Sequence, residues 1–119
     1  MNKEHTEYLF DNFPNLYAGK DEGLRSNLMG FGFDCGDGWF DLLRELSEKL
    51  EPLGVKAMQV KEKMGTLRFY LSGGTDEAYD LIDKAEAKSE VTCEVCGEPG
   101  TLREGGWLKV RCDDCYDSE

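Results

Sequence analysis

No stretch of this 119-residue chain reaches the roughly 18 consecutive apolar residues that a membrane-spanning helix needs. The opening segment, MNKEHTEYLFDNF, carries acidic side chains and lacks the apolar region of a secretory signal. We therefore expect a cytoplasmic protein with no membrane partner. Because disulfides are rare in that compartment, its cysteine pairs are interpreted first as metal ligands.

Basic residues and histidine are also scarce. The 14 lysines and arginines oppose 25 acidic residues, which gives a formal net charge of -11. A general nucleic-acid binder needs a basic surface that displaces counterions from phosphates. Because acidic residues are in excess here, we do not expect nucleic acid to be the partner. An excess of negative charge is typical of a well-solvated surface, of a protein that binds a basic partner, or of a protein that imitates the charge of a nucleic acid. The only histidine is His5, so a mechanism with a histidine base would depend on the N-terminal region.

What the chain does contain is the pattern of a small α+β domain over residues 1–90. Residues 2–13 predict a short helix that ends where Pro14 begins a turn. Residues 18–38 are rich in glycine and show little periodicity, so we expect a loop there, with one short strand over residues 28–33.

Two amphipathic helices are predicted next. Apolar residues recur at helical spacing through 39–50, and Asp37 is the expected N-cap of that helix. Thr75 is expected to cap a further helix that runs to about Glu90. Their apolar stripes predict a β-hairpin covered by two helices.

The hairpin itself is predicted over residues 55–74, with Gly65 at the turn. Alternation places one set of apolar residues on a common face of each strand: Met58 and Val60 on the first, and Leu67, Phe69 and Leu71 on the second.

Residues 91–119 hold four of the five cysteines, in two CxxC pairs that fifteen residues separate. This spacing is typical of a zinc ribbon with the ligands Cys93, Cys96, Cys112 and Cys115. Four protein ligands close the coordination of zinc, so the predicted site is structural rather than catalytic. Two disulfides or a rubredoxin-like iron centre are the alternatives. So short a tail buries little apolar surface, and metal binding is expected to supply the missing folding energy.

The segment between the two pairs predicts a short hairpin. Residues 101–103 and 107–111 alternate as strands around the turn Glu104–Gly106. Trp107 could be a stacking platform for a base, but burial against this hairpin is the expectation.

Two other groups of residues could carry chemistry. Cys35 and His5 could form a nucleophile and base, although a buried structural thiol explains Cys35 more simply. Asp34, Asp37 and Asp41 could hold a hard cation, but their spacing does not match a calcium loop and capping accounts for Asp37. We therefore expect no catalytic residues and no enzyme.

The hairpin also carries a basic and aromatic set in an acidic molecule, and we name it as a candidate partner-binding face: Lys61, Lys63, Arg68 and Tyr70. Such a strand face can bind an acidic peptide or nucleic acid. The simpler explanation is that these side chains are solvated and paired with carboxylates of adjoining helices.

Three stretches together resemble a family of small zinc-ribbon proteins encoded by bacteriophages and prophages: CGDGWFDLL (35–43), QVKEKMGTLRFYLSG (59–73) and TCEVCGEPG (92–100). The resemblance covers roughly residues 30–115. It implies a phage origin and the same four metal ligands, and it carries over no catalytic residue.

The leading hypothesis is a zinc-stabilised, non-enzymatic, acidic interaction protein that binds a host or phage protein. In its concrete form the protein inhibits a host defence nuclease, as anti-CRISPR and anti-restriction factors do, by occupying the nucleic-acid channel. The alternative is a nucleic-acid-binding accessory or regulatory protein that uses the basic hairpin face.

Overall fold

The computed structural model describes all 119 residues. The predicted α+β class is confirmed: a β-hairpin packs with amphipathic helices, and a four-cysteine ribbon follows. The helices are α1 (Lys3–Asn12), α2 (Phe40–Leu50), α3 (Asp76–Ser89) and α4 (Asp113–Asp117). The strands are β1 (Phe33–Asp34), β2 (Ala57–Lys63), β3 (Thr66–Leu71), β4 (Thr101–Arg103) and β5 (Lys109–Arg111). None of the helices combines the length and the apolar character that crossing a membrane demands.

The larger sheet has the strand order β1-β2-β3. β2 and β3 form the predicted hairpin, with Val60 opposite Phe69. Met64 and Gly65 make the turn with positive φ angles of 54° and 85°, the handedness that a tight two-residue hairpin turn requires. β1 pairs with β2 in parallel and places Phe33 beside Val60.

The hydrophobic core is formed by α1, α2, α3 and one face of this sheet. It is a cluster of 20 buried residues between Leu9 and Ala85. Trp39 and Tyr17 are its largest fully buried side chains. A 2.7 Å hydrogen bond between the hydroxyls of Tyr17 and Ser47 satisfies both groups inside the core.

The helix caps follow the sequence expectation in one case only. The Thr75 hydroxyl accepts a hydrogen bond from the Ala78 N–H at 3.2 Å, so Thr75 caps α3 as predicted. The cap predicted at Asp37 was wrong, because a 3₁₀ turn over Asp37–Trp39 precedes α2. The Asp37 carboxylate instead accepts hydrogen bonds from the N-terminal segment.

The strand predicted over residues 28–33 was also wrong. Leu28–Phe31 is a 3₁₀ turn, and the Asn27 side-chain oxygen accepts a hydrogen bond from the Met29 N–H at 2.8 Å. This side-chain bond competes with strand pairing, as short polar side chains do at turns. Only the two residues of β1 remain to pair with the sheet.

The predicted inward face of β2 needs one correction as well. The register of the hairpin shifts between Ala57 and Gln59. A bulge of this kind inserts one residue and changes which side chains point inward. Ala57 is consequently fully buried, whereas Met58 is only half-buried.

The ribbon, residues 91–119, is built from β4, β5 and α4. Only Cys93 and Val110 are buried among its side chains. The predicted burial of Trp107 was wrong, since this side chain is 79% exposed. β5 begins at Lys109, so Trp107 lies in the loop before the strand rather than on its inner face. A domain boundary near residue 90 stays a prediction.

Candidate metal centre

Four cysteine thiols converge in the ribbon. The Sγ atoms of Cys93, Cys96, Cys112 and Cys115 all lie within 4.8 Å of one another, and those of Cys96 and Cys112 are 3.6 Å apart. A tetrahedral zinc–thiolate site with bonds of about 2.3 Å has sulfur–sulfur edges of about 3.8 Å. A disulfide needs about 2.05 Å, and all the cysteines are free. The cluster therefore fits one metal ion held by four sulfur ligands.

The first CxxC pair is arranged to stabilise a thiolate. Gly97 adopts a φ of 83°, and its N–H donates to the Cys93 carbonyl at 2.9 Å to close the turn. Burial by itself would raise the pKa of Cys93. The N–H groups of Cys112, Cys96 and Val95 outweigh that effect and lower the pKa of Cys93 to about 6. A buried sulfur is thus prepared for the charge that a metal ligand carries.

The second CxxC pair reaches the same geometry without a glycine. Cys112 is the N-cap of α4, and its Sγ accepts a hydrogen bond from the Cys115 N–H at 3.4 Å. In this pair the first turn of α4 brings the two cysteines together, whereas in the first pair the glycine with positive φ closes the turn. The Cys112 thiol raises the pKa of Cys115 to about 12, so a metal ion has to displace protons from this cluster when it binds.

The ribbon docks on a loop of the core that sequence reasoning did not connect with it. We call Cys35–Trp39 the docking loop. The Gly38 N–H donates to the Glu94 carbonyl at 2.8 Å, and a Cβ on Gly38 would lie only 2.2 Å from the Cys93 carbonyl oxygen. The Trp39 indole N–H donates to the Thr92 carbonyl at 3.0 Å. The first pair of metal ligands is therefore held against the core by direct backbone contact.

A buried carboxylate reinforces this junction. Glu94 Oε2 accepts a hydrogen bond from the Gly36 N–H at 2.8 Å, and Oε1 lies 3.5 Å from Arg111 Nη1. The Glu94 side chain is 12% exposed, and burial raises its pKa even though Arg111 acts in the opposite direction. The sequence did carry a sign of this contact: Gly36 and Gly38 flank Asp37, directly before Trp39.

The residues considered for catalysis are not assembled into such a site. Cys35 is buried, and burial raises the pKa of its thiol to about 12. The His5 ring stacks on Phe40 at 3.9 Å, and its Nδ1 lies 3.0 Å from Asp37 Oδ1, so its hydrogen-bond partner is a carboxylate and not the thiol. Asp34, Asp37 and Asp41 do not form a group of converging ligand atoms; the cysteine cluster is the one such group in the fold.

The basic and aromatic residues of the hairpin do share one face. Lys61 is directly opposite Arg68, and Tyr70 is opposite Gln59 on the same face. Tyr70 is 42% exposed. None of Lys61, Lys63 and Arg68 takes part in an ion pair, and the buried Arg68 Nε has no acceptor. The pairing with helix carboxylates that we considered is not seen as a direct ion pair for these cations, although the Arg68 charge does act on Glu86 of α3.

The opposite charge is concentrated along α3. We call the exposed carboxylates of α3 and of its C-cap residue the acidic row: Asp76, Glu77, Asp80, Asp83 and Glu90. No member forms an ion pair. Residues 76, 80 and 83 lie on one side of the helix over about 10.5 Å, given a rise of about 1.5 Å per residue, and Glu90 follows at the C-terminal end of the helix.

Comparisons with protein-family models, with curated proteins and with solved structures find no match for this chain. The resemblance to phage-encoded ribbons consequently stays a prediction.

Proposed function

We propose that this is a zinc-stapled, non-enzymatic interaction protein of the cytoplasm, encoded by a phage and directed at a host or phage protein. Four convergent sulfur ligands support zinc as the metal, because soft thiolates suit it well. A site closed by four protein ligands has no position for substrate, which supports an architectural role. Elemental analysis of protein purified under reducing conditions distinguishes zinc from iron.

The observation that carries the proposed interaction is the acidic row on α3. It presents unpaired carboxylates along a rigid helix in a protein of net charge -11. A basic surface attracts such a row by the same long-range field that attracts phosphates. The proposed partner is a protein with a basic nucleic-acid channel, and the concrete version is a host defence nuclease that this protein inhibits in the anti-CRISPR or anti-restriction manner.

The test combines capture from host lysate with a nuclease assay. The variant Asp80→Asn, Asp83→Asn, Glu90→Gln removes three charges from the acidic row. The control Glu4→Gln, Glu7→Gln, Asp11→Asn makes the same change in net charge on exposed positions of α1. We expect the wild type and the control to retain a nucleic-acid-binding protein at about 0.15 M salt and to release it at higher salt.

The α3 variant should lose this partner and should no longer inhibit its nuclease activity. If no salt-sensitive partner is captured and no nuclease is affected, the proposed inhibition is wrong. The nucleic-acid alternative is tested separately by a mobility shift, where binding that survives moderate salt and depends on Lys61 and Lys63 would favour it.

A further inference from the structure

Two turns meet at one end of the molecule and place apolar side chains in solvent. Met64 lies at the tip of the β2–β3 hairpin and Trp107 lies in the loop between β4 and β5; they are 64% and 79% exposed. Together with Gly106 and Leu108 they line a cleft of about 300 Å³, which we call the tip cleft. Below it the two hairpins touch, since a Cβ on Gly65 would lie 2.8 Å from Leu102 Cδ1.

The apolar exposure at this point is not a by-product of regular structure. Met64 is the only residue other than glycine with a positive φ, which costs free energy for a long side chain. A small polar residue would serve the same turn more easily. Large apolar side chains gathered on a surface usually mark a binding site.

Charge defines what the tip cleft would accept. β2 leads into it through Lys61 and Lys63, and Arg68 lies across from Lys61 on the neighbouring strand. None of these three cations lies within 4.0 Å of a carboxylate oxygen, although most other basic side chains do. The Arg68 charge does act on the Glu86 carboxyl of α3. Lys61 and Lys63 therefore leave their charges free for a partner, whereas Arg68 is partly balanced by Glu86.

We propose that the tip cleft and the adjoining basic face bind a short acidic peptide segment that carries one large apolar side chain. The cleft lies at the lower end of the volumes of small-molecule pockets, about 300 to 1,000 Å³, so it suits a single side chain. Acidic residues on either side of that side chain would pair with Lys61, Lys63 and Arg68. This surface is separate from the acidic row, so it adds a second contact to the proposed function.

A nucleic acid fits these observations less well than a peptide. The molecule measures 40 × 28 × 23 Å and carries a net charge of -11, so a long polyanion on this face would soon meet repulsive carboxylates. A short peptide stays on the positive face, and at about 0.15 M salt repulsion beyond about 8 Å is largely screened.

The experiment is an NMR titration of the metal-loaded protein with a synthetic peptide in which glutamates surround one phenylalanine. The resonances to follow are the Trp107 indole N–H and the Met64 methyl group. The Trp39 indole is the internal reference because it is fully buried in the core. We expect saturable shifts at Trp107 and Met64 and none at Trp39.

Three further probes sharpen the outcome. Replacing the phenylalanine with alanine, or the glutamates with lysines, should abolish the shifts. Trp107→Ala and the pair Lys61→Glu, Lys63→Glu should each weaken binding about tenfold or more. The matched pair Lys49→Glu, Lys84→Glu changes the same charge at exposed positions without ion pairs and should leave affinity unchanged.

The proposal is wrong if the acidic peptide produces no shift at Trp107, or if both lysine pairs weaken binding equally. It is also wrong if a single-stranded oligothymidylate of similar charge binds more tightly than the peptide, because the face would then be a nucleic-acid surface. These outcomes do not depend on the α3 variant, so they separate this proposal from the proposed function.

Discussion

The two parts of this molecule hold their shapes in different ways. The helix–sheet part encloses the cluster of 20 buried residues, which includes a fully buried tryptophan and tyrosine. The ribbon buries only Cys93 and Val110. Burial of apolar area at about 25 cal/mol per Å² can stabilise the first part but contributes little to the second. We expect the ribbon to depend instead on the metal ion that its four thiols could hold and on its contact with the docking loop.

This difference means that the two parts should respond to different perturbations. Removing a ligand from the cluster should act on the ribbon, and disturbing the docking loop should act on the junction.

Removal of the metal should separate the two parts most clearly. In structural zinc sites the ion contributes an apparent 10–16 kcal/mol, about as much as a small domain has in total. We expect Cys112→Ser, or a strong chelator, to collapse the amide dispersion of residues 91–119 while α2 and α3 remain helical. Cys35→Ala is the matched control, because this thiol lies in the core and should leave one metal ion per chain. A ribbon that stays ordered without metal would contradict the comparison.

The second expectation concerns Gly38→Ala. The new Cβ would be 2.2 Å from the Cys93 carbonyl oxygen, and neither backbone segment can rotate away from it. We expect a loss of about 1–3 kcal/mol or more in the free energy of unfolding, with the ribbon undocked from the core. Urea unfolding followed separately by helix and ribbon signals measures this. Gly105→Ala is the control, since the nearest atom to its Cβ would be 3.7 Å away; equal losses in the two variants would refute the assignment.

The two tryptophans offer the third contrast. Trp39→Phe removes the hydrogen bond to the Thr92 carbonyl and leaves that carbonyl without its partner. We expect it to cost about 1–3 kcal/mol of stability, whereas Trp107→Phe should change the midpoint of thermal unfolding very little. A large loss at Trp107 would show that the tip cleft has a structural role and not a binding one.

The smallest effect should be a dependence on pH at the N-terminal helix. The N–H of Asn2, and with it the His5 ring, stabilises the ionised form and lowers the pKa of Asp37. A lowered carboxyl pKa contributes stability above its unfolded value of about 4, and that contribution disappears as the pH falls through the folded value. Asp37→Asn should therefore melt below the wild type at neutral pH, and the difference should shrink as the pH falls below about 4 and vanish once it is below the lowered folded-state pKa of Asp37. A constant difference would exclude the charge as the cause.

Much of the architecture could be predicted from local patterns. The spacing of the cysteines specifies four ligands that a short hairpin can bring together, and the fold does gather them. Thr75 predicts the start of α3, because an N-cap hydroxyl accepts a hydrogen bond from an unpaired N–H in the first turn of the helix. Gly65 marks the hairpin turn for an equally local reason, its freedom to adopt positive φ.

The predictions that failed depended on distant partners or small shifts. Asp37 was predicted to cap a helix, but its carboxylate bonds to Asn2 and His5 instead. These residues are more than 30 positions away, and local sequence periodicity does not reveal such a contact. The bulge in β2 turns Ala57, and not Met58, toward the core. Trp107 was expected inside the ribbon because alternation counted it as part of a strand that begins two residues later. The contact of the docking loop with the ribbon was not predicted. Two glycines indicate that another backbone segment comes close, but they do not indicate which segment it is.

The contact between Gly36 and Glu94 joins residues that are 58 positions apart in the chain, whereas the sulfurs of Cys96 and Cys112 are separated by only 16. Closing the longer segment costs more chain entropy, so the metal cluster can assemble locally before the two parts meet. The order of events during folding should then be ion capture first and docking last. A mixing experiment that starts from unfolded, metal-free, reduced chain and adds zinc with the refolding buffer should show sulfur-to-metal absorbance in an early phase and the Trp39 signal in a later one.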